Sequence, residues 1–192
     1  VFMTIKSILH LAALFLGENR LLDSGVFNDN VSVEKISAVV ASDRDLQLLI
    51  KCANSVIKEI SCFEPLSFSE KVYTESGKIP LSSLSKCLRE VSDITCNDLP
   101  ADFSLCCDHI MTVPGNITVT YHYVPEDKSF DESAELSPRI TDRLVACGVA
   151  AEYSLIKGRY DDAAMWDKRY KDALAVSPSR RRYKAMPVPE WK

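Results

Sequence analysis

The segment RITDRLVACGVAAEYSLIKGRYDDAAMWDKRYKDAL, Arg139 to Leu174, carries its own start, stop and restart signals and reads as two antiparallel helices. Ser137 and Pro138 predict the first start, a hydroxyl able to cap followed by a proline where a missing N–H costs nothing. Gly158 predicts the stop, and Asp161 and Asp162 put negative charge in the next first turn, where the helix dipole favours it. On the first helix Ile140, Leu144, Cys147, Gly148, Ala151 and Leu155 form one apolar stripe, and Val145, Val149, Tyr153 and Ile156 a second, so two sides are expected to be covered. The second helix has a single stripe, Ala163, Trp166, Tyr170 and Leu174. Small residues, among them Gly148, Ala151, Ala163 and Ala164, let the two axes approach closely. Tyr153, Tyr160, Trp166 and Tyr170 are its candidate packing or subunit-interface residues.

Upstream, residues 3–62 read as helices. Ile5, Ile8, Leu9, Ala12, Phe15 and Leu16 have helical spacing, with Thr4 as cap and Gly17 as stop. The run imitates a short secretory apolar region, yet no small-x-small cleavage site follows before Glu18, and a buried helix is expected. Leu21 and Leu22 predict a short helical turn ending near Gly25, and Val33, Ile36, Val39 and Val40 another short helix. Ser42, Asp43 and Asp45 start a longer one, whose stripe of Leu46, Leu49, Ile50, Ala53, Ile57 and Ile60 is expected to pack on the C-terminal hairpin. From 65 to 125 the period changes to that of strands, punctuated by Gly77, Asn97-Asp98 and Pro114-Gly115-Asn116. The clearest strand runs from Ile117 to Val124, and Pro114-Gly115-Asn116 predicts a hairpin turn joining it to the Cys107–Val113 segment. The expected fold is therefore α+β: mainly an α-helical bundle in one domain, with an inserted small antiparallel sheet (65–125), a C-terminal helical hairpin (137–175) and an extended basic arm (176–192).

The run GVAAEYSLIKGRYDDAAMWDKRYKDAL, with MPVPEW near the end, TVTYHYVPEDKSF upstream and MTIKSILHLAALFLG at the start, resembles the head–tail adaptor proteins of long-tailed, siphovirus-like bacteriophages and prophages. The resemblance touches most of the chain and is sharpest over its last third, and no catalytic motif anchors it. It implies a structural protein of the virion neck, present in the host cytoplasm during assembly. The implied partners are a portal protein, a stopper or tail-completion protein, and further copies of the chain in a ring of about twelve that matches the portal. DNA would pass through such a ring without sequence-specific binding. A stopper or tail-completion protein, or a small prophage-encoded nucleic-acid-binding accessory protein, are the alternatives.

Charge is divided unevenly. The net charge is −4, but residues 176–192 carry +4 and the rest of the chain −8, which argues against a general nucleic-acid clamp. In the arm, Arg180, Arg181, Arg182, Tyr183, Pro187, Pro189 and Trp191 are candidate interaction residues, an extended segment with Trp191 as anchor. A frayed end, or a basic arm touching nucleic acid, are the other readings of that segment. The connector from Pro125 to Leu136 is acidic and is expected to be a solvated loop. In a ring around DNA its Glu126, Asp127, Asp131 and Glu132 would instead line the channel. Seven cysteines, odd in number and irregular in spacing, point to a reducing compartment and mostly buried thiols. Cys96, Cys106, Cys107 and His109 lack the spacing of a zinc site, and no nucleophile elbow, phosphate loop or HExxH is present. No catalytic residue, cofactor, metal or membrane span is expected, and the chain is read as a non-enzyme.

Overall fold

Thr4 accepts a hydrogen bond from the Ser7 amide and opens helix α1 (Ile5–Leu16), and left-handed Gly17 closes it, as the local sequence predicts. The structure, a computed structural model, describes residues 3–28 and 33–176. Helix α2 (Asn19–Asp23) and helix α3 (Val33–Ser42) are short. Helix α4 (Arg44–Phe63) starts at Asp43, whose carboxylate accepts from the amides of Asp45 and Leu46. After the β region come α5 (Asp142–Ile156) and α6 (Tyr160–Val176). The α5 cap is Thr141, accepting from Leu144 N, not Ser137. Residues 137–140 form a separate turn closed by Ile140 N–H donating to the Ser137 carbonyl. At the far end of α5, Arg159 N–H bonds the Ser154 carbonyl and Gly158 N–H the Leu155 carbonyl, with Gly158 left-handed, a Schellman closure.

Helix α5 is the centre of the helical body. It packs against α1, α4 and α6, burying Val145, Val149 and Tyr153 completely. The expectation of two covered sides holds up to its last turn, where Leu155 and Ile156 are exposed instead. At Gly148 the neighbouring helices come close, since an added Cβ would stand 2.8 Å from Val56 Cγ1 and 3.1 Å from the Tyr170 ring.

Residues 66–123 form strands β1 (Leu66–Thr74), β2 (Lys78–Pro80), β3 (Leu88–Cys96), β4 (Leu99–Pro100), β5 (Ser104–Leu105), β6 (His109–Met111) and β7 (Gly115–Tyr123). They make two antiparallel sheets, ordered β1-β7-β3-β4 and β2-β6-β5. This overturns the reading of the chain as mainly a helical bundle with one small inserted sheet. The β region closes a hydrophobic cluster of its own, Ile79, Leu84, Ile94, Ile110, Ile117, Val119 and Tyr121, distinct from the cluster of the helices. Its inward apolar residues suffice to fill the space between two sheets, so the molecule is mixed α+β with two cores.

Pro114-Gly115-Asn116 is likewise not a hairpin turn. Strand β7 pairs with β1 and β3, whereas β6 pairs with β2 and β5, so the chain crosses from one sheet to the other at this point. Gly77 makes the crossing possible: it has φ +73°, accepts from Thr112 N–H at 2.7 Å, and leaves no room for a Cβ, which would lie 2.1 Å from the Thr112 carbonyl oxygen. The outer face of the larger sheet is polar, with Ser69 and Thr120 hydroxyls 3.0 Å apart and Ser67 bonded to His122.

Candidate functional site

The residues predicted to do the work fall into three groups, and the fold treats each differently. Within the hairpin, Tyr153, Trp166 and Tyr170 are buried in the chain's own core and, of the four, only Tyr160 is exposed, at 70%. Trp166 stacks on Phe15, ring centroids 4.9 Å apart, and the Arg169 guanidinium lies 4.8 Å from the Trp166 ring on α6. The arm residues Arg180, Arg181, Arg182, Tyr183, Pro187, Pro189 and Trp191 lie outside the described residues.

The acidic connector is not a freely solvated loop. Asn54, buried in the middle of α4, brackets its backbone: the Asn54 side chain accepts from Lys128 N–H at 2.9 Å and donates to the Lys128 carbonyl at 3.0 Å. Phe130 is buried with the helices, and Ile5 N–H and Ala134 N–H bond across to Glu132 and Met3 carbonyls. Glu126, Asp127, Asp131 and Glu132 do remain on the surface. Asp127 pairs with Lys58 at 2.6 Å, and the Glu132 carboxylate accepts from Ser129 N–H, which holds its pKa below the usual carboxylate value.

The two halves are joined next to this strap. Glu135 accepts from Lys128 at 2.8 Å and from Lys86, just before β3, at 3.3 Å. Burial alone would raise the Glu135 pKa, but these two ammonium groups and Tyr123 more than offset it and the net shift is downward. Tyr123 is pushed up to about 12 by burial and by Glu135. Arg89, on β3, donates to the Ser61 carbonyl at the end of α4, a second bolt between the halves. Inside the β half, Glu70 accepts from Tyr121 Oη at 2.6 Å and from Ser85 N and Oγ, tying the 81–87 segment to the sheet.

Two regions that the sequence reading missed stand out. At one end of the β half Tyr73, Leu99, Phe103, Met111 and Val113 are exposed, on chain segments joined where Asn97 N–H bonds the Asn116 carbonyl and Thr112 Oγ1 bonds the Asp102 carbonyl; the register puts Tyr73, opposite Asn116, and Leu99, opposite Cys96, on opposite faces of the larger sheet. On the helical half, a groove of about 630 Å³ between α1, α5 and α6 is lined by Arg139, Arg143 and Arg169 around Phe15, Leu144 and Trp166. Nothing local in the sequence joins Arg143 to Arg169, because only the hairpin brings them onto one wall.

Cysteine placement also differs from expectation. Cys52 and Cys147 are buried and Cys96 half-buried, but Cys62, Cys87, Cys106 and Cys107 are exposed, because they sit at a helix end and in turns and not in apolar stripes. His109 bonds its neighbour Asp108, and among the described residues no cluster of three or more His, Cys, Asp or Glu side chains could hold a metal. No helix among them is long and apolar enough to cross a membrane. The chain matches no protein-family model and no curated protein.

Proposed function

We propose that this protein is a head–tail adaptor, a structural virion protein that binds the portal ring and extends the DNA channel toward the tail. The observation that carries the reading is the division of labour in the fold: a helical body centred on α5, and a β unit with its own core and an exposed apolar end. A body of that kind can pack side by side with copies of itself. The β end leaves Tyr73, Leu99 and Phe103 uncovered, large apolar side chains available for contact with another protein. The resemblance of the α5–α6 segment to the adaptor family supports the same reading.

In a ring, copies would join by heterologous contacts and the rotation would close at the portal's symmetry. The test is native mass spectrometry of the full chain alone and mixed with the portal protein of the same genome. The expected result is a complex with about twelve copies per portal ring. No association removes the adaptor reading. Presence in purified virions would then favour a stopper or tail-completion protein, and steep salt-dependent binding to DNA a nucleic-acid accessory protein.

A further inference from the structure

The groove between α1, α5 and α6 holds about 630 Å³, within the range of roughly 300–1,000 Å³ that small-molecule sites occupy. Eleven described residues line it, against roughly 20–30 on each side of a stable protein–protein interface. Its size therefore suits one organic group and not a folded partner. Buried Leu144 and half-buried Phe15 and Ala173 give it an apolar surface. Exposed Arg139, Arg143 and Arg169 complete the lining, and Asp172, the one carboxylate among the described lining residues, leaves the charge net positive.

Elsewhere the fold occupies its guanidinium groups: Arg20 pairs with Asp43 and Asp45, Arg159 pairs with Glu18, and Arg89 bonds the Ser61 carbonyl. The guanidinium groups of Arg143 and Arg169 have no ion pair and no hydrogen bond among the described residues, although they come from different helices to the same groove. Arg169 is held by packing instead, 4.8 Å from the centre of the Trp166 ring. A guanidinium held over a ring keeps its N–H donors for a planar acceptor, and a carboxylate matches that fork with two bonds. Arg143 and Arg169 both act on the Cys147 thiol, so their charges converge on the inner end of the groove. Burial outweighs them and pushes that thiol up, which leaves the inner end neutral, with no built-in anion to satisfy the pair. Residues 176–192, which begin at Val176 in the groove lining, carry a net +4 and repel these arginines instead of neutralising them.

We propose that this groove is a binding site for a small amphipathic carboxylate, its head group shared between Arg143 and Arg169 and its apolar body lying on Phe15, Leu144 and Ala173. The two halves of the ligand are both required. A bare anion leaves the apolar lining in contact with water, and a neutral apolar compound gains nothing from the guanidinium pair. The site goes beyond the adaptor reading and does not rest on it, since a bound carboxylate and a ring of copies neither need nor exclude each other.

The experiment titrates the full chain carrying Trp191→Phe, in which Trp166 is the one remaining tryptophan, and follows binding by calorimetry and by Trp166 fluorescence. The probes are 4-butylbenzoate, decanoate, the neutral 4-butylbenzamide, and acetate. Saturable binding of at least one of the two apolar carboxylates at one site per chain is expected, and whichever of the aryl and alkyl probes binds tighter identifies the body that the lining takes. The benzamide and acetate should each bind at least about tenfold more weakly. Arg143→Gln combined with Arg169→Gln should weaken the carboxylate at least about tenfold while the melting temperature stays within about 2 °C, because both side chains are exposed. Ala173→Glu keeps both arginines, sets a competing carboxylate on the groove wall, and should weaken binding as much. Benzamide binding as tight as benzoate, no saturation by either carboxylate at about 5 mM, or an affinity indifferent to both variants would each overturn the site. So would a glutamate-rich peptide that binds with the same arginine dependence where both carboxylates fail, which would assign the groove to an acidic segment of another protein.

Discussion

Ser154 is completely buried on α5 and its hydroxyl has no hydrogen-bond partner. Ser154→Ala removes an unsatisfied polar group, and urea unfolding is expected to show a gain of about 1 kcal/mol. Gly148 presents the opposite case. Its missing side chain is what lets Val56 and Tyr170 close in, so Gly148→Val should cost on the order of 3 kcal/mol through overpacking, read by the same unfolding midpoint. The two residues were not equally legible. The small residue at 148 lies in a stripe and announced a close helix contact. Asn54 announced nothing, because its partner Lys128 is 74 positions away and a lone Asn beside an apolar stripe has no local signature.

Elements closed by local chemistry were readable, since a cap and its amide lie within three residues. The start of α1 at Thr4 and the glycine stops of α1 and α5 belong to this class. Ser137-Pro138 puts the start of α5 four residues early, because Ser137 and Thr141 both carry a hydroxyl able to cap and only the turn at 137–140 selects between them. Strand β3 could not be read by alternation at all. Leu88, Val91 and Ile94 face Tyr123, Tyr121 and Val119, a spacing of three against a spacing of two, because two bulges each add a residue to β3. The strap from 125 to 136 makes its own prediction. The folded pKa of Glu135 is depressed, so its contribution is present above the unfolded value of 4.5 and is lost as pH falls through the lower folded value. Glu135→Gln should cost about 1–2 kcal/mol at neutral pH, and the gap to the parent should close in acid, as followed by unfolding at a series of pH values.

Across the whole molecule, two hydrophobic clusters are bolted together by Glu135, Lys86, Lys128 and the Arg89–Ser61 bond. Deleting residues 176–192 begins at Val176, which is 82% exposed, and should shift the melting temperature by no more than about 2 °C while abolishing association with the portal protein. An unfolded truncated chain, or one that still binds the portal, would contradict this. The sequence by itself determined the helices, the starts of α1 and α4 and the glycine stops of α1 and α5, the existence of a β region and the charge contrast between body and arm, because those properties depend on neighbours within a turn or on composition. Only the tertiary structure decided which strand pairs with which, that the β region holds its own core, that the acidic connector is strapped down, and that Leu155 and Tyr160 remain uncovered. Those outcomes depend on contacts between residues tens of positions apart, where one apolar or polar residue can satisfy many partners and the local pattern names none of them.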